Sequence, residues 1–102
     1  MQQRDYIERL IQQIASFIAR VVGAVKNGDE REAEEALDGA WAALGLRRKD
    51  AKRLDDATVR MLLGGKVAIA ADLFEAEATV EELRGNAEAA DELRSRALAM
   101  KR

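Results

Sequence analysis

The side chains of this chain that could do chemistry are few in kind. The sequence contains neither cysteine nor histidine, which removes the thiolate nucleophile, the commonest metal ligand and the commonest general base near neutral pH. Carboxylates, lysines, serines, threonines and one tyrosine remain. We therefore predict a protein that is not an enzyme and that has no catalytic residues, no cofactor and no metal ion.

Acidic residues in the last third of the chain are the first candidates for a metal site. They are Glu75, Glu77, Glu81, Glu82, Glu88, Asp91 and Glu92. Carboxylate metal sites in helical bundles use a Glu-x-x-His motif, which a chain without histidine cannot supply. We interpret all seven as a solvent-exposed helical face.

The sequence "LLGGKV" at residues 62–67 invites comparison with a phosphate-binding loop. That motif needs a glycine at position 60 and Ser or Thr at position 67, where this chain has Arg60 and Val67. A helix end followed by a turn explains the two glycines better.

A basic run lies at the middle of the chain and contains Arg47, Arg48, Lys49, Lys52 and Arg53. It could bind phosphate or an acidic peptide, or it could be a solvated linker that pairs with the acidic helix before it. No aromatic residue interrupts the run to stack on bases, and the whole chain has a net charge of −2 and a pI near 5.2. Nucleic acid is therefore an unlikely partner.

The composition is that of a small all-α protein. Its 102 residues are 48% hydrophobic and 35% charged, with twenty alanines and no proline. Alanine is the best helix former, and this length suits one domain that covers residues 1–102. The first residues, "MQQRDYIERLIQQ", have charges between their apolar groups, so we expect no signal peptide, no membrane span and a cytoplasmic location.

Apolar spacing and capping residues predict about five helices. Four of them have approximate ranges of 3–27, 30–44, 66–84 and 87–101, and a further short helix lies between the second and the fourth and ends at Gly64 and Gly65. Gly28 ends the first helix, and Asp29 caps the second with Glu32 as its capping-box partner. Asp55 or Asp56 caps the third helix, whose inward residues are predicted as Val59, Leu62 and Leu63. Gly85 and Asn86 repeat the stop and cap before the last helix.

The second predicted helix has an inner face of Ala33, Ala36, Leu37, Ala40, Trp41 and Leu44. A two-residue break joins it to the first helix, so the two must pack antiparallel. Ala33 and Ala40 would let their backbones approach closely. Trp41 and Tyr6 are interpreted as core or interface anchors.

The chain also contains an internal repeat at a separation of 57 residues. It aligns Phe17 with Phe74, Gly28 with Gly85, Ala33 with Ala90, and Ala40 with Ala97. The only two phenylalanines thus fall in register with two helix-breaking glycines. We predict two helical hairpins, at residues 3–45 and 66–102, joined by a basic linker and short helix at residues 46–65.

This order of phenylalanine, glycine, alanine and alanine resembles the tetratricopeptide repeat. That motif has an aromatic residue in its first helix, a small residue at the turn and two small residues where the helices cross. The chain departs from it at Gly45, where a proline is usual, and its repeats are not consecutive at about 34 residues. The resemblance implies a non-catalytic module that binds or scaffolds proteins.

The run "MQQRDYIERLIQQ" and the turn after it also resemble a family of small helical bacterial proteins with no established function. The likeness is best over the first two helices. It implies a bacterial cytoplasmic origin and supports the first hairpin.

The first helix has an apolar arc wider than one neighbouring helix can cover. The residues left for another partner are Ile7, Ile11, Ile14, Ile18, Val22 and Val25. We predict that the protein forms a homodimer through them, in addition to binding an unidentified protein.

Two alternative functions remain open. The chain could be a nucleic-acid-associated regulator that uses residues 47–53, or a small-molecule sensor with a pocket between the helices at 3–27 and 66–84. Asp72, Glu75 and Glu82 would lie on the face that tetratricopeptide proteins use for peptides. An acidic face there should repel the acidic tails that basic clamps of that family capture.

Overall fold

The computed structural model describes the backbone of residues 2–102 and the side chains of residues 4–102. The helices are α1 (Gln2–Lys26), α2 (Glu30–Leu44), α3 (Arg48–Arg53), α4 (Asp56–Leu63), α5 (Val67–Leu83) and α6 (Ala87–Met100), with a 3₁₀ turn at Gly64–Lys66. The predicted all-α class and all five predicted helices are confirmed. The sixth helix, α3, lies in the segment that was predicted as a basic linker.

The turn between α1 and α2 forms largely as its residues predict. Gly28 has φ +68°, and the carboxylate of Asp29 accepts a hydrogen bond from the backbone N–H of Glu32 at 3.1 Å. The second half of the capping box is wrong, because the N–H of Asp29 donates to the carbonyl of Ala24 at 2.8 Å. The Glu32 side chain instead binds Arg20 at 2.5 Å.

The turn between α5 and α6 has the same helix-ending glycine but lacks the predicted side-chain cap. Gly85 has φ +82°, and the backbone N–H of Asn86 donates to the carbonyl of Glu81 at 2.8 Å. The Asn86 side chain makes no capping hydrogen bond to α6. Its amide instead lies 3.5 Å from the Glu81 carboxylate. The turn geometry therefore comes from the glycine.

The inner face of α2 is buried at all six predicted positions. At Gly39 a Cβ atom would lie 2.5 Å from Cε1 of Phe17. Gly39 thus adds a second small residue to the close approach of α1 and α2, beside the predicted contact residue Ala40.

The core is centred on α5, which packs against α1, α2 and α6. The rings of Trp41 and Phe74 meet edge to face, with centroids 5.1 Å apart and planes at 63°. Both side chains are fully buried, so the core role predicted for Trp41 is confirmed. Tyr6 lies about half exposed on the surface.

The segment from α3 to the 3₁₀ turn is tied down at both ends. The Arg96 guanidinium of α6 donates to the carbonyl of Ala51 at 3.1 Å and lies 2.7 Å from Asp56. The Lys66 ammonium donates to the carbonyl of Leu44 at the end of α2, at 3.0 Å. Polar contacts to helix ends therefore dock this segment on both hairpins.

The short helix α4 buries two of its three predicted inward residues. Asp55 caps it, accepting from the N–H of Thr58 at 2.8 Å, and Val59 and Leu63 are buried. Leu62 is more than half exposed, so its predicted inward position is wrong. Residues four apart share the narrow buried face of so short a helix, and Leu62 lies beside that face.

Candidate functional site

An open apolar groove runs between α1 and α5. It consists of two adjoining cavities of about 430 and 260 Å³. Its apolar lining residues are Ile11, Ile14, Ala15, Ile18, Val21 and Val22 of α1, and Ala68, Ile69 and Ala76 of α5. The two cavities share Ala15, Ile18 and Asp72, so they form one continuous surface, which we call the α1–α5 groove.

The groove exists because α1 has more apolar surface than its neighbours cover. Val21 and Ala24 pack with α2 and the second half of α5, and Leu10 and Ile14 pack into the main core. On the other wall, α5 presents the small residues Ala68 and Ala76. Because these side chains are small, they do not fill the space between α1 and α5, and the groove stays open.

The six residues predicted for self-association lie at different depths. Ile11 is 49% exposed and Val22 is 45% exposed, while Ile7, Ile18 and Val25 are half-buried. Ile14 is only 2% exposed and belongs to the main core. Ile14 therefore lies at the floor of the groove, turned toward α5, and its part in self-association stays a prediction. The other five form an exposed or half-exposed stripe.

Two of the three acidic residues predicted on this face do line the groove. Asp72 is exposed where the two cavities meet, and within residues 4–102 its carboxylate forms no ion pair and no side-chain hydrogen bond. Glu75 is half-buried, 3.7 Å from Arg94 of α6. Glu82 lies outside the groove lining, where Arg94 holds it with hydrogen bonds of 2.8 and 2.9 Å.

The predicted anionic-partner patch is divided by the fold. Arg47 and Arg53 each pair with Asp50, at 3.3 and 3.2 Å, and Lys49 is exposed. The Lys52 ammonium lies 3.7 Å from the buried Glu77 carboxylate. Arg48 has only 12% of its side chain exposed, so it faces inward rather than toward a ligand.

A buried ion pair joins α3 to α5. The Arg48 guanidinium donates to both carboxylate oxygens of Glu77, at 2.6 and 2.8 Å. The indole N–H of Trp41 donates to the same carboxylate at 3.0 Å. Glu77 is fully buried, so its predicted place on a solvent-exposed face is wrong. The protein tolerates this buried carboxylate because three hydrogen-bond donors satisfy its two oxygens.

The pKa values around Arg48 reflect this pairing. Burial disfavours the Arg48 cation, but hydrogen bonds and attraction from Glu77 and Glu34 outweigh burial and raise the pKa of Arg48. The hydrogen bond from Arg48 in turn lowers the pKa of Glu34, and Arg84 lowers it further. Both groups are therefore charged across the physiological pH range.

A second cation links α2 to the end of α5. Arg84 lies 3.0 Å from Glu30, 2.7 Å from Glu34 and 3.1 Å from Glu81. Glu81 is buried, so it is the second acidic residue wrongly predicted as solvent-exposed. The carboxylates of α2 and α5 are thus held together by arginines from α3 and from the end of α5.

The sequence contained a signal for these missed residues. Glu77 lies seven residues after Ala70 and three after Phe74, which is the spacing of the buried line of α5. A buried Trp41 also needs an acceptor for its indole N–H. Grouping Glu77 with its acidic neighbours concealed this periodicity. No local signal identified Arg48, since its burial depends on how α3 docks.

These charge clusters join α2, α3 and α5 to one another. Within the part of the chain that the structure describes, no group of three or more acidic residues is arranged to hold a metal ion. The described helices also include none that is long and apolar enough to cross a membrane.

Comparisons of the chain with protein-family models, curated proteins and solved structures find no match. The resemblance to tetratricopeptide repeats therefore stays a prediction. Any function for this chain has to be argued from the α1–α5 groove and the charges beside it.

Proposed function

We propose that this protein is a non-catalytic protein-interaction module that self-associates through α1. The observation that carries the proposal is the exposed or half-exposed stripe of Ile7, Ile11, Ile18, Val22 and Val25, of which Ile11, Ile18 and Val22 line the groove. Contiguous apolar patches of this kind on soluble proteins often mark interaction surfaces. A second copy is the occupant we propose for it.

A two-fold pairing suits the shape of this surface. Helix α1 has 25 residues, which corresponds to a length of about 37 Å. A straight helix edge can pack against its own copy, because an isologous interface uses the same patch on both subunits. In such a dimer, α1 of one copy would contact α5 of the other copy across the groove as well as α1 of the other copy.

The hairpin geometry supports the tetratricopeptide resemblance on which the module class rests. The turn glycines Gly28 and Gly85 both have positive φ. All four aligned alanines, Ala33, Ala40, Ala90 and Ala97, are buried. The groove lies between the first helices of the two hairpins, where that family binds its partners. We place the module in the bacterial cytoplasm, on the resemblance of its first residues.

The two alternative functions have weaker support. The larger cavity is within the volume range of small-molecule sites, but such sites bury most of their ligand, and this groove is open to solvent along its side. A nucleic-acid regulator would need the basic patch, where Arg48 is occupied by Glu77 and Arg47 and Arg53 pair with Asp50.

The test is the molar mass in solution, measured by light scattering after size exclusion at micromolar concentration. We expect a dimer, which the double variant Ile18→Glu with Val22→Glu converts to a folded monomer. Met61→Glu with Leu98→Glu is the matched control, since both residues are exposed apolar side chains outside the groove lining. A wild-type mass near 11.3 kDa would contradict the proposal.

A further inference from the structure

Asp72 sets a condition on whatever covers the groove. It lies exposed between the two cavities and forms no ion pair within residues 4–102. An apolar helix laid over it would remove water from an unpaired carboxylate, which is strongly unfavourable. The occupant must therefore place a positive charge there.

Helix α1 of a second copy has such a charge on its apolar side. Arg4, Ile11 and Ile18 are seven residues apart, so they lie along nearly one line of the helix. The Arg4 side chain is 84% exposed, and the carboxylate nearest to it is Glu8, one turn away at 3.5 Å. Arg9 and Arg20 lie on the opposite side of α1 and cannot reach the groove.

The position of Asp72 disfavours pairing about the middle of α1. Asp72 lines the groove beside Ala15 and Ile18, so a two-fold axis near Ser16 would bring the two copies of Asp72 toward each other. Like charges that face each other across an interface are repulsive. The helices must therefore be displaced along their length.

Two displacements could bring a cation to Asp72. An axis near Val22 would use Lys26, but the helices would then overlap over only about ten residues, roughly 15 Å, and Ile11 would stay uncovered. An axis near Ile11 places Arg4 of one copy opposite Ile18 of the other. The overlap is then about fifteen residues or more, roughly 22 Å, and covers Ile7, Ile11 and Ile18.

We propose that two copies pair antiparallel through α1 about a two-fold axis near Ile11, with Arg4 of each copy bound to Asp72 of the other. This inference rests on the proposed self-association. Because the pair occurs twice per dimer, its two residues decide the register of the interface. Val22 lies beyond this contact, because the position opposite it would precede the first residue of α1, so Ile11→Glu weakens the dimer more than Val22→Glu does.

A charge exchange tests the pairing through the dimer dissociation constant, measured by sedimentation. Arg4→Glu and Asp72→Arg should each weaken the dimer by about tenfold or more, since each sets like charges together twice. The double variant with both changes should return to within about threefold of wild type. Arg9→Glu is the control of equal charge and should leave the dimer unchanged. A double variant as weak as the single variants overturns the pairing.

Cross-linking reads the register independently, because the chain has no native cysteine. Ile11→Cys should couple to itself efficiently with a short thiol-reactive linker, whereas Ile18→Cys should couple poorly, since its two copies lie about 20 Å apart along the helices. The reverse result would place the axis near the middle of α1 and overturn this register. A dimer that is broken by Ile18→Glu with Val22→Glu but insensitive to Arg4 and Asp72 retains the proposed function without this inference. A monomeric wild type excludes both.

Discussion

Helices α1 and α5 occupy equivalent places in the two hairpins, yet they have different environments. Helix α5 buries ten residues, including Glu77 and Glu81, and its Phe74 is fully buried with the Arg96 guanidinium 4.4 Å above the ring. Helix α1 leaves Ile11 and Val22 about half exposed, and its Phe17 is only half-buried. The central helix carries buried charge, while the edge helix carries exposed apolar surface.

The difference follows from the number of neighbours. Helix α5 is enclosed by α1, α2 and α6, so more than half of its side chains are buried against protein. Carboxylates on this buried surface are tolerated only where an arginine pairs with them. Helix α1 stands at the edge with α2 and α5 on one side. The same hairpin pattern therefore gives a stabilising centre in one place and an unfilled surface in the other.

The largest effect should come from removing the cation of the central helix. Arg48→Met leaves the fully buried Glu77 carboxylate without its main partner. Breaking a buried pair in this way costs about 3–5 kcal/mol, and we expect that loss in the free energy of unfolding measured with urea. Lys52, at 3.7 Å, can replace only part of the interaction.

Two further variants separate charge from packing at this pair. Arg47→Met removes a neighbouring arginine whose side chain is exposed, and it should change stability by less than about 0.5 kcal/mol. Arg48→Met with Glu77→Gln should recover much of the loss, because the amide keeps an acceptor for Trp41 and has no charge. If Arg48→Met were as mild as Arg47→Met, the buried pair would not stabilise the centre.

A smaller effect is expected where the edge helix α1 crosses α2. Ala40 is fully buried, so Ala40→Leu should destabilise the protein by about 1–3 kcal/mol through overpacking. Ala97→Leu tests the equivalent position of the second hairpin and should cost a similar amount. Exposed Ala42→Leu is the control. Thermal melts in which Ala40→Leu and Ala42→Leu behave alike would show that no close crossing exists there.

Gly39→Ala sharpens the same comparison. Its Cβ atom would meet the Phe17 ring at 2.5 Å. Because Phe17 lies half-buried at the edge, the ring can turn away, and we expect a loss near the lower end of the overpacking range, about 1 kcal/mol. A loss well above that range would mean that the edge helix is held as firmly as the centre.

Much of the fold could be predicted because local signals were strong. Apolar spacing located α2 and its six buried residues, and glycines located both hairpin turns. The prediction that Leu62 faces inward was wrong because α4 has only eight residues, too few turns for apolar spacing to define its buried face. The helix at Arg48–Arg53 was not predicted because it depends on docking against Glu77 and Arg96, which lie far away in the sequence.

The candidate site was harder to predict for a related reason. Periodicity shows which residues are apolar on one face, and so it identified Ile11, Ile18 and Val22. It does not show which of them a distant helix covers, and so it could not separate Ile14 from the others. The position of Asp72 between two cavities likewise depends on the spacing of α1 and α5.

A modest effect is expected on the acid side of the pH range. The hydrogen bond from Arg48 lowers the pKa of Glu34, so Glu34 contributes stability above its unfolded pKa of about 4.5, which is lost as the pH falls through the lower folded value. Glu34→Gln should therefore lower stability near pH 7 by at most about 1 kcal/mol. The variant should also lose less of its free energy of unfolding than the wild type does when the pH falls below about 5. If the free energy of unfolding in urea fell with pH between 3 and 5 as steeply in Glu34→Gln as in the wild type, this link would be contradicted.

The smallest expected effect is in nucleic-acid binding by the basic patch. Arg48 is turned inward to Glu77, and Arg47 and Arg53 share Asp50, so few charges remain free to release counterions from a phosphate backbone. We expect no submicromolar complex with DNA or RNA at ~150 mM salt in fluorescence anisotropy. Arg47→Glu with Lys49→Glu spares the buried pair and should change nothing. A salt-sensitive complex that this double variant abolishes would contradict this expectation and would place a nucleic-acid-binding surface on α3.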